Sequence, residues 1–234
     1  MKYPVIKISG DQSLTLVFGD AISEEINARI RAYDRALQDK QIPGIVETVP
    51  TYCALTVHYR AEIIRYRDLQ KILEELLLSD LNVADDPAIV IEIPVCYGGE
   101  YGPDLTFVAE HAGKHPEEVV KIHADGDYLI YMLGFTPGFA YMGGMDASIA
   151  APRLQTPRVK IPAGAVGIAG QQTGIYPMDS PGGWQLIGRT PVKLYDADRE
   201  KPILLDAGMR ASRTSQHAST SFRFSCMSSL VFFM

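Results

Sequence analysis

Between Gly134 and Pro191 the chain gathers the side chains that can grip a small molecule. In "GFTPGFAYMGGMD", Gly134 to Asp146, aromatics stand at Phe135, Phe139 and Tyr141, while Gly138, Gly143 and Gly144 let the backbone turn or approach a ligand closely. Downstream, "GIAGQQTGIYPMDSPGGWQLIGRTP" adds Tyr176 and Trp184, the chain's only tryptophan, within backbone too interrupted by glycine and proline for a long helix. Arg153, Arg158, Gln171, Gln172, Thr173 and Arg189 supply polar groups beside those walls, the combination that small-molecule sites use. The same composition also suits barrel corners and core filling.

His123 closes a short helical pattern just before this segment and is the general acid–base candidate, because its ordinary pKa lies near neutrality. A helix-end histidine also serves simply by meeting the helix dipole. His111 and His115 stand four apart, but Gly113 and Pro116 interrupt the helix that would align them and no third ligand accompanies them, so no metal site is expected. Ser180, in "MDSPGGW", lacks the GxSxG setting of a nucleophile elbow. Gly164, Gly167 and Gly170 give GxxGxxG, neither a P-loop nor a dinucleotide fingerprint.

Composition limits the function classes. The 234 residues carry a formal charge of -6 without a Lys/Arg cluster, which argues against nucleic acid as a partner. The N-terminus "MKYPVIKISGDQSL" contains no apolar run of the roughly 7–15 residues of a signal peptide, and no stretch reaches the roughly 18 apolar residues of a membrane span, so a cytoplasmic protein is expected. Cys53, Cys96 and Cys226 are an odd number without CxxC spacing, which points to reduced structural thiols.

The elements that must position these residues fall into two patterns. Ile22, Ile26, Ile30, Tyr33 and Leu37 form an amphipathic stripe with Glu24 and Glu25 at its start, and Leu69, Ile72, Leu73, Leu76 and Leu77 form a second. "LTLVF", "IVETV", "CALTVHY" and "AIVIEIPV" read as strands around them. The order strand, helix, strand, strand, helix, strand predicts an α+β protein with a ferredoxin-like α/β domain over residues 1–86. "DLTFVAEHAG" and "HPEEVVKIH" then predict two short helices, the first ended by Gly113 and the second begun by Pro116. Beyond Tyr128, "YLIYMLGF", "AVGIAG", "WQLIG", "VKLYD" and "PILLD" are short apolar pieces between Gly/Pro punctuation, the pattern of a β-barrel or sandwich over residues 87–208.

"VCYGGEYGPDL", "GFTPGFAYMGGMD", "PRLQTPRVKIPAGAVGIAGQQTGIYPMDSPGGWQLIGRTP" and "LLDAG" resemble the family variously called the 5-oxoprolinase B subunit, KipI-type kinase inhibitor and allophanate hydrolase subunit 1. The resemblance spans about Met1 to Gly208. It implies a cyclophilin-like β-barrel as the second domain, and a cytoplasmic, non-autonomous subunit that works with the A and C subunits in ATP-dependent opening of 5-oxo-L-proline to L-glutamate. It also admits two alternatives: an inhibitor of sensor histidine kinase autophosphorylation, or a subunit related to allophanate hydrolase and urea carboxylase. Under the resemblance, Arg158 and Arg189 are suited to clamp a carboxylate or phosphate through their forked donors, and Gln172 and Thr173 to bond a lactam. With no phosphate-binding loop in the sequence, ATP is expected to lie mainly on a partner. A cyclophilin-like fold raises prolyl isomerase activity as well, supported by fold kinship alone.

From Met209 onward, "MRASRTSQHASTSFRFSCMSSLVFFM" departs from the family pattern in its Ser/Thr/Arg bias and abrupt apolar end, as a frameshifted or divergent terminus would. Residues 209–234 are therefore read as an atypical tail. Loss of the family's last strand would leave a barrel edge unpaired, unless "SFRFSCMSSLVFF" replaces it.

Overall fold

The computed structural model describes residues 3–79 and 89–217. The chain divides into two compact units between Ala88 and Ile89.

In the first unit, strands β1 (Val5–Ile8), β2 (Ser13–Val17), β3 (Ile45–Pro50) and β4 (Ala54–Tyr59) form an antiparallel sheet in the order β1-β2-β4-β3. Helices α1 (Glu24–Asp39) and α2 (Tyr66–Leu78) complete it. Period-two alternation turns Leu14 and Leu16 of β2 and Leu55 and Val57 of β4 to one face, where they are buried with Ile30, Tyr33 and Leu37 of α1 and Leu69, Leu73 and Leu76 of α2. The Tyr33 hydroxyl donates to the Leu73 carbonyl at 2.8 Å, joining the two helices inside that core. Ser23 caps α1, with Glu24 and Glu25 in the first turn, so Ile22 of the expected stripe lies before the helix and is exposed.

One strand of the expected order is reassigned. "AIVIEIPV" does not add to this sheet: β5 (Val90–Tyr97) pairs in the second unit, and β1 takes the edge beside β2. Its alternating Ile93, Val95 and Tyr97 satisfy any half-buried strand, so the local pattern carries no information about which sheet it joins.

The second unit is a closed barrel. Its remaining strands are β6 (Tyr128–Leu133), β7 (Ala140–Gly143), β9 (Ala165–Ala169), β10 (Gln172–Ile175), β12 (Gln185–Arg189) and β13 (Arg210–His217), ordered β10-β7-β6-β13-β5-β12-β9 with β9 returning to β10. A separate ribbon pairs β8 (Arg158–Ile161) with β11 (Ser180–Gly182). Helices α3 (Leu105–Ala112) and α4 (Pro116–Ala124) follow β5. Gly113 ends α3 at φ 64°, a left-handed backbone that suits glycine, and the Glu118 carboxylate accepts from the His115 N–H to cap α4.

Two expectations change here. "VKLYD" and "PILLD" make only a single bridge, Tyr195 with Ile203, since Pro191 and Pro202 remove ladder donors. The atypical terminus supplies β13, which runs parallel to β5 and antiparallel to β6, so the barrel has no unpaired edge there. "SFRFSCMSSLVFF" and Cys226 lie outside the described residues; Cys53 and Cys96 form no disulfide among the described residues. No helix among the described residues is long and apolar enough to cross a membrane, and no group of three metal-binding side chains occurs among them.

Candidate functional site

Strand β9 shows how the sequence builds two environments back to back. Val166 and Ile168 enter the barrel core, whereas Ala165 and Ala169 belong to a second cluster outside, with Phe139, Ile161, Tyr176, Trp184 and Leu186. The outward residues of β9 are small, leaving room for aromatic rings. On β10 the same division separates Thr173 from Gly174: a Cβ on Gly174 would stand 3.1 Å from both the Phe139 and Trp184 rings and 3.2 Å from the Ala140 carbonyl. Any Cβ there would press those rings aside by a few tenths of an ångström.

The outer cluster is an aromatic layer centred on Phe139. Its ring lies 4.9 Å from Tyr141, 5.3 Å from Tyr176, 5.5 Å from Trp184 and 5.6 Å from Phe135, edge to face in every case. Phe139, Tyr176 and Trp184 are buried, Tyr141 is half-buried, and Phe135 is 61% exposed. Phe135 holds φ 67°, strained for a bulky residue, in a tight turn where the Thr136 N–H donates to the Gly134 carbonyl at 2.8 Å. Burial pushes the Tyr176 hydroxyl up to about 12, against the opposing effects of the Arg153 and Arg158 charges and the Trp184 N–H.

Arg158 stands behind Trp184. Its Nη2 donates to both Asp104 oxygens, at 2.7 and 2.9 Å, and Nη1 donates to the Trp184 carbonyl at 3.3 Å. Asp104 also accepts from the Leu186 N–H at 2.6 Å, so one carboxylate ties the start of α3 to β8 and β12. Arg189, at the opposite end of β12, donates Nε to the Ala163 carbonyl at 2.9 Å. The two arginines expected to clamp one anion each hydrogen-bond to their own protein partners. Gln172 opens β10 opposite Ala169 and is half-buried.

Inside the barrel, His123 is fully buried with Tyr97, Tyr128, Thr173 and Arg213. Arg213 Nη1 lies 2.7 Å from His123 Nε2; arginine can only donate, so Nε2 accepts and the ring proton sits on Nδ1, 2.7 Å from the Tyr97 hydroxyl. Thr173 Oγ1 is 2.9 Å from the same Nε2 and 3.1 Å from the Gly167 carbonyl. Burial first, and the Arg213 charge second, hold His123 well below its usual pKa, so the imidazole is neutral. Burial raises the Tyr97 hydroxyl above its ordinary range. The Arg213 guanidinium lies 4.0 Å over the Tyr128 ring and donates Nη2 to Met142 Sδ at 3.1 Å, while Nε has no partner among the described residues.

The structure thus joins Phe135, Phe139, Tyr141, Tyr176 and Trp184 in one layer, and joins His123 to Thr173 on the other side of β10. Sequence reasoning missed Tyr97, Asp104 and Arg213. Tyr97 reads as the apolar end of a strand and Asp104 as a turn residue in "YGPD"; Arg213 lies in the terminus set aside for its composition.

The carboxyltransferase domain, subdomain C and D, matches residues 4–205. The B subunit of the 5-oxoprolinase of Bacillus subtilis (strain 168) is 43% identical over 227 residues, spanning 89% of this chain and 93% of that protein. That of Haemophilus influenzae is 46% identical over 177 residues, spanning 76% of this chain and 81% of that protein. Among solved structures, TTHA0988 superposes with a TM-score of 0.78 at 38% identity over 89% of this chain; the chain spans 41% of that longer protein. Matched over most of its own length, and over most of the length of these two relatives, the chain belongs to the family of 5-oxoprolinase B subunits, built on subdomains C and D of the carboxyltransferase domain.

Proposed function

We propose that this chain is one subunit of a cytoplasmic 5-oxoprolinase, which opens 5-oxo-L-proline to L-glutamate with ATP and includes two further chains, the A and C subunits. The observation that carries this reading is the 43% identity to a protein named as the B subunit of 5-oxoprolinase, across 93% of that protein's length.

This reading places ATP mainly outside this chain. Helices α1, α2 and α4 carry Asp or Glu in their first turns, which repel phosphate where a helix would otherwise attract it, and the Arg158 fork is engaged by Asp104. Nucleotide handling therefore falls to the partner subunits in this reading. The aromatic layer is this chain's contribution to ligand binding: Phe135 and Tyr141 present accessible ring surface, while Phe139, Tyr176 and Trp184 hold that surface rigid from beneath. Gln172 and Arg189 flank it as polar contacts. Thr173 and His123 support β10 from inside the barrel. With both ring nitrogens engaged and no solvent access, His123 positions Thr173 and carries no proton to substrate.

Reconstitution with the A and C subunits, following loss of 5-oxoproline and formation of ADP, tests this. Turnover that requires all three chains is expected. Turnover by the other two subunits alone, or kinase inhibition by this chain without lactam turnover in the assembly, overturns the reading.

A further inference from the structure

β13 closes the barrel, and its hold there is mainly backbone. It lies parallel to β5, from Arg210 opposite Val90 to His217 opposite Tyr97, and it meets β6 at Arg210 and Ala211. Of its described side chains, two are buried: Ala211, which brings a single methyl group, and Arg213, whose guanidinium has no carboxylate partner among the described residues and leaves Nε unpaired. Burying one methyl stabilises little, and an uncompensated buried cation costs more than that. Arg210 adds an ion pair with Asp127, but Asp127 is exposed and such pairs contribute little. What holds the strand is a ladder of N–H and C=O bonds, which any copy of the same strand supplies equally.

Topology and the joint before β13 both favour release and recapture. The whole barrel sequence lies between β5 and β13, so this parallel pairing carries the largest loop-closure cost among the barrel's pairings. Until it is made, β5 and β6 present open edges, the template on which a strand of another chain can add. The joint itself is short. Leu205 is buried in the barrel core, and between it and β13 stands a turn over residues 206–209, in which the Met209 N–H donates to the Asp206 carbonyl at 3.3 Å and Gly208 holds φ 91°. Glycine leaves that conformation for an extended one without steric cost, which carries β13 away from its own barrel while Leu205 stays in place.

We propose that β13 is a detachable closing strand, and that the gap it leaves between β5 and β6 accepts β13 of a second copy of this chain, giving a strand-exchanged dimer. The exchanged state repeats the contacts of the closed monomer outside the turn at 206–209, so protein concentration during folding decides between the two.

The full-length chain is refolded from urea at about 1 µM and at about 200 µM and sized by light scattering. Expected are a monomer from the dilute sample and, from the concentrated one, a dimer that reverts slowly on dilution. E92C/S212C, at paired positions of β5 and β13, with Cys53, Cys96 and Cys226 replaced by serine, locates the strand. Oxidised after refolding, it should form its disulfide within one chain in the monomer and between chains in the dimer. Monomer at both concentrations, or a dimer whose disulfides lie within chains, overturns the exchange. Native-state hydrogen exchange tests the release without added thiols: the amides through which β13 and β5 bond each other should open together, more readily than those joining β9 to β12, and about tenfold less often in R213M. Opening of all four strands in one global step overturns the detachable strand.

Discussion

A guanidinium inside a β-barrel keeps its charge only if something replaces water around it. Arg213 has the Tyr128 ring, one lone pair of His123 and a methionine sulfur, with no carboxylate among the described residues and Nε unpaired. Ring and sulfur together replace only part of its hydration, and burial lowers its pKa. Substituting an apolar side chain of similar length removes the desolvation cost, and the Thr173 hydroxyl, 2.9 Å from His123 Nε2, can turn to it from the Gly167 carbonyl and supply the hydrogen bond that Arg213 gave. R213M should therefore melt several degrees above wild type, a gain of about 1–4 kcal/mol. The same residue is the second cause of the low His123 pKa. Because that pKa is depressed on folding, the unfolded chain binds the extra proton first, and stability falls as pH drops below the unfolded value near 6.5. Melting curves from pH 7.5 to 5 should show this slope, shallower in R213M. An R213M that melts lower than wild type with an unchanged slope would show that the arginine is a net stabiliser and has no hold on His123.

At the scale of elements, the Asp104 carboxylate fastens the ribbon strand β8 to the start of α3 and, beside the bond from the Asp104 N–H to the Leu186 carbonyl, to β12. Both partners are partly shielded, Arg158 at 30% and Asp104 at 13% exposure, so removing one leaves the other without its charge partner. D104A and R158A should each destabilise the barrel by about 2–4 kcal/mol, and the double variant should cost much less than their sum, giving a coupling of at least about 1 kcal/mol in urea melts followed by Trp184 emission. Additive losses would mean that the pair contributes nothing beyond its two side chains. This tie also marks where the sequence stopped being legible. Helix α1 could be read because its stripe from Ile26 to Leu37 is local, and α3 because Gly113 ends it within the same ten residues. The partner of Arg158 lies 54 residues away, and no spacing rule connects them. Likewise Phe139, Tyr176 and Trp184 have one sequence signature whether they line an open wall or pack on one another. Only the small outward residues of β9 and the glycine at 174, whose meaning depends on the strand pairing, show that they pack.

For the molecule as a whole, the apolar side chains divide into three clusters, one in the first unit and two in the second. The cluster of the first unit, from Leu14 to Leu76, is built from the two helices, the sheet and Phe18 just after β2, all within the first 88 residues. The sheet's second face is suited to water: Lys7 and His58 are exposed there, and Ser9, Thr15 and Thr56 bond to one another through their hydroxyls at 2.7 and 3.0 Å. A unit with a closed core, a helix–helix hydrogen bond inside it and a polar outer face meets the conditions for folding by itself, although at this size its margin is only a few kcal/mol. Residues 1–88 expressed alone should give one cooperative thermal transition with a heat-capacity increase of about 1 kcal/mol/K. Since the tryptophan lies in the other unit, calorimetry and far-ultraviolet circular dichroism are the measurements that see it. A broad, non-cooperative melt with strong binding of a hydrophobic dye would show that the first core is incomplete without the barrel, and that the apparent independence of the two units ends at the level of packing.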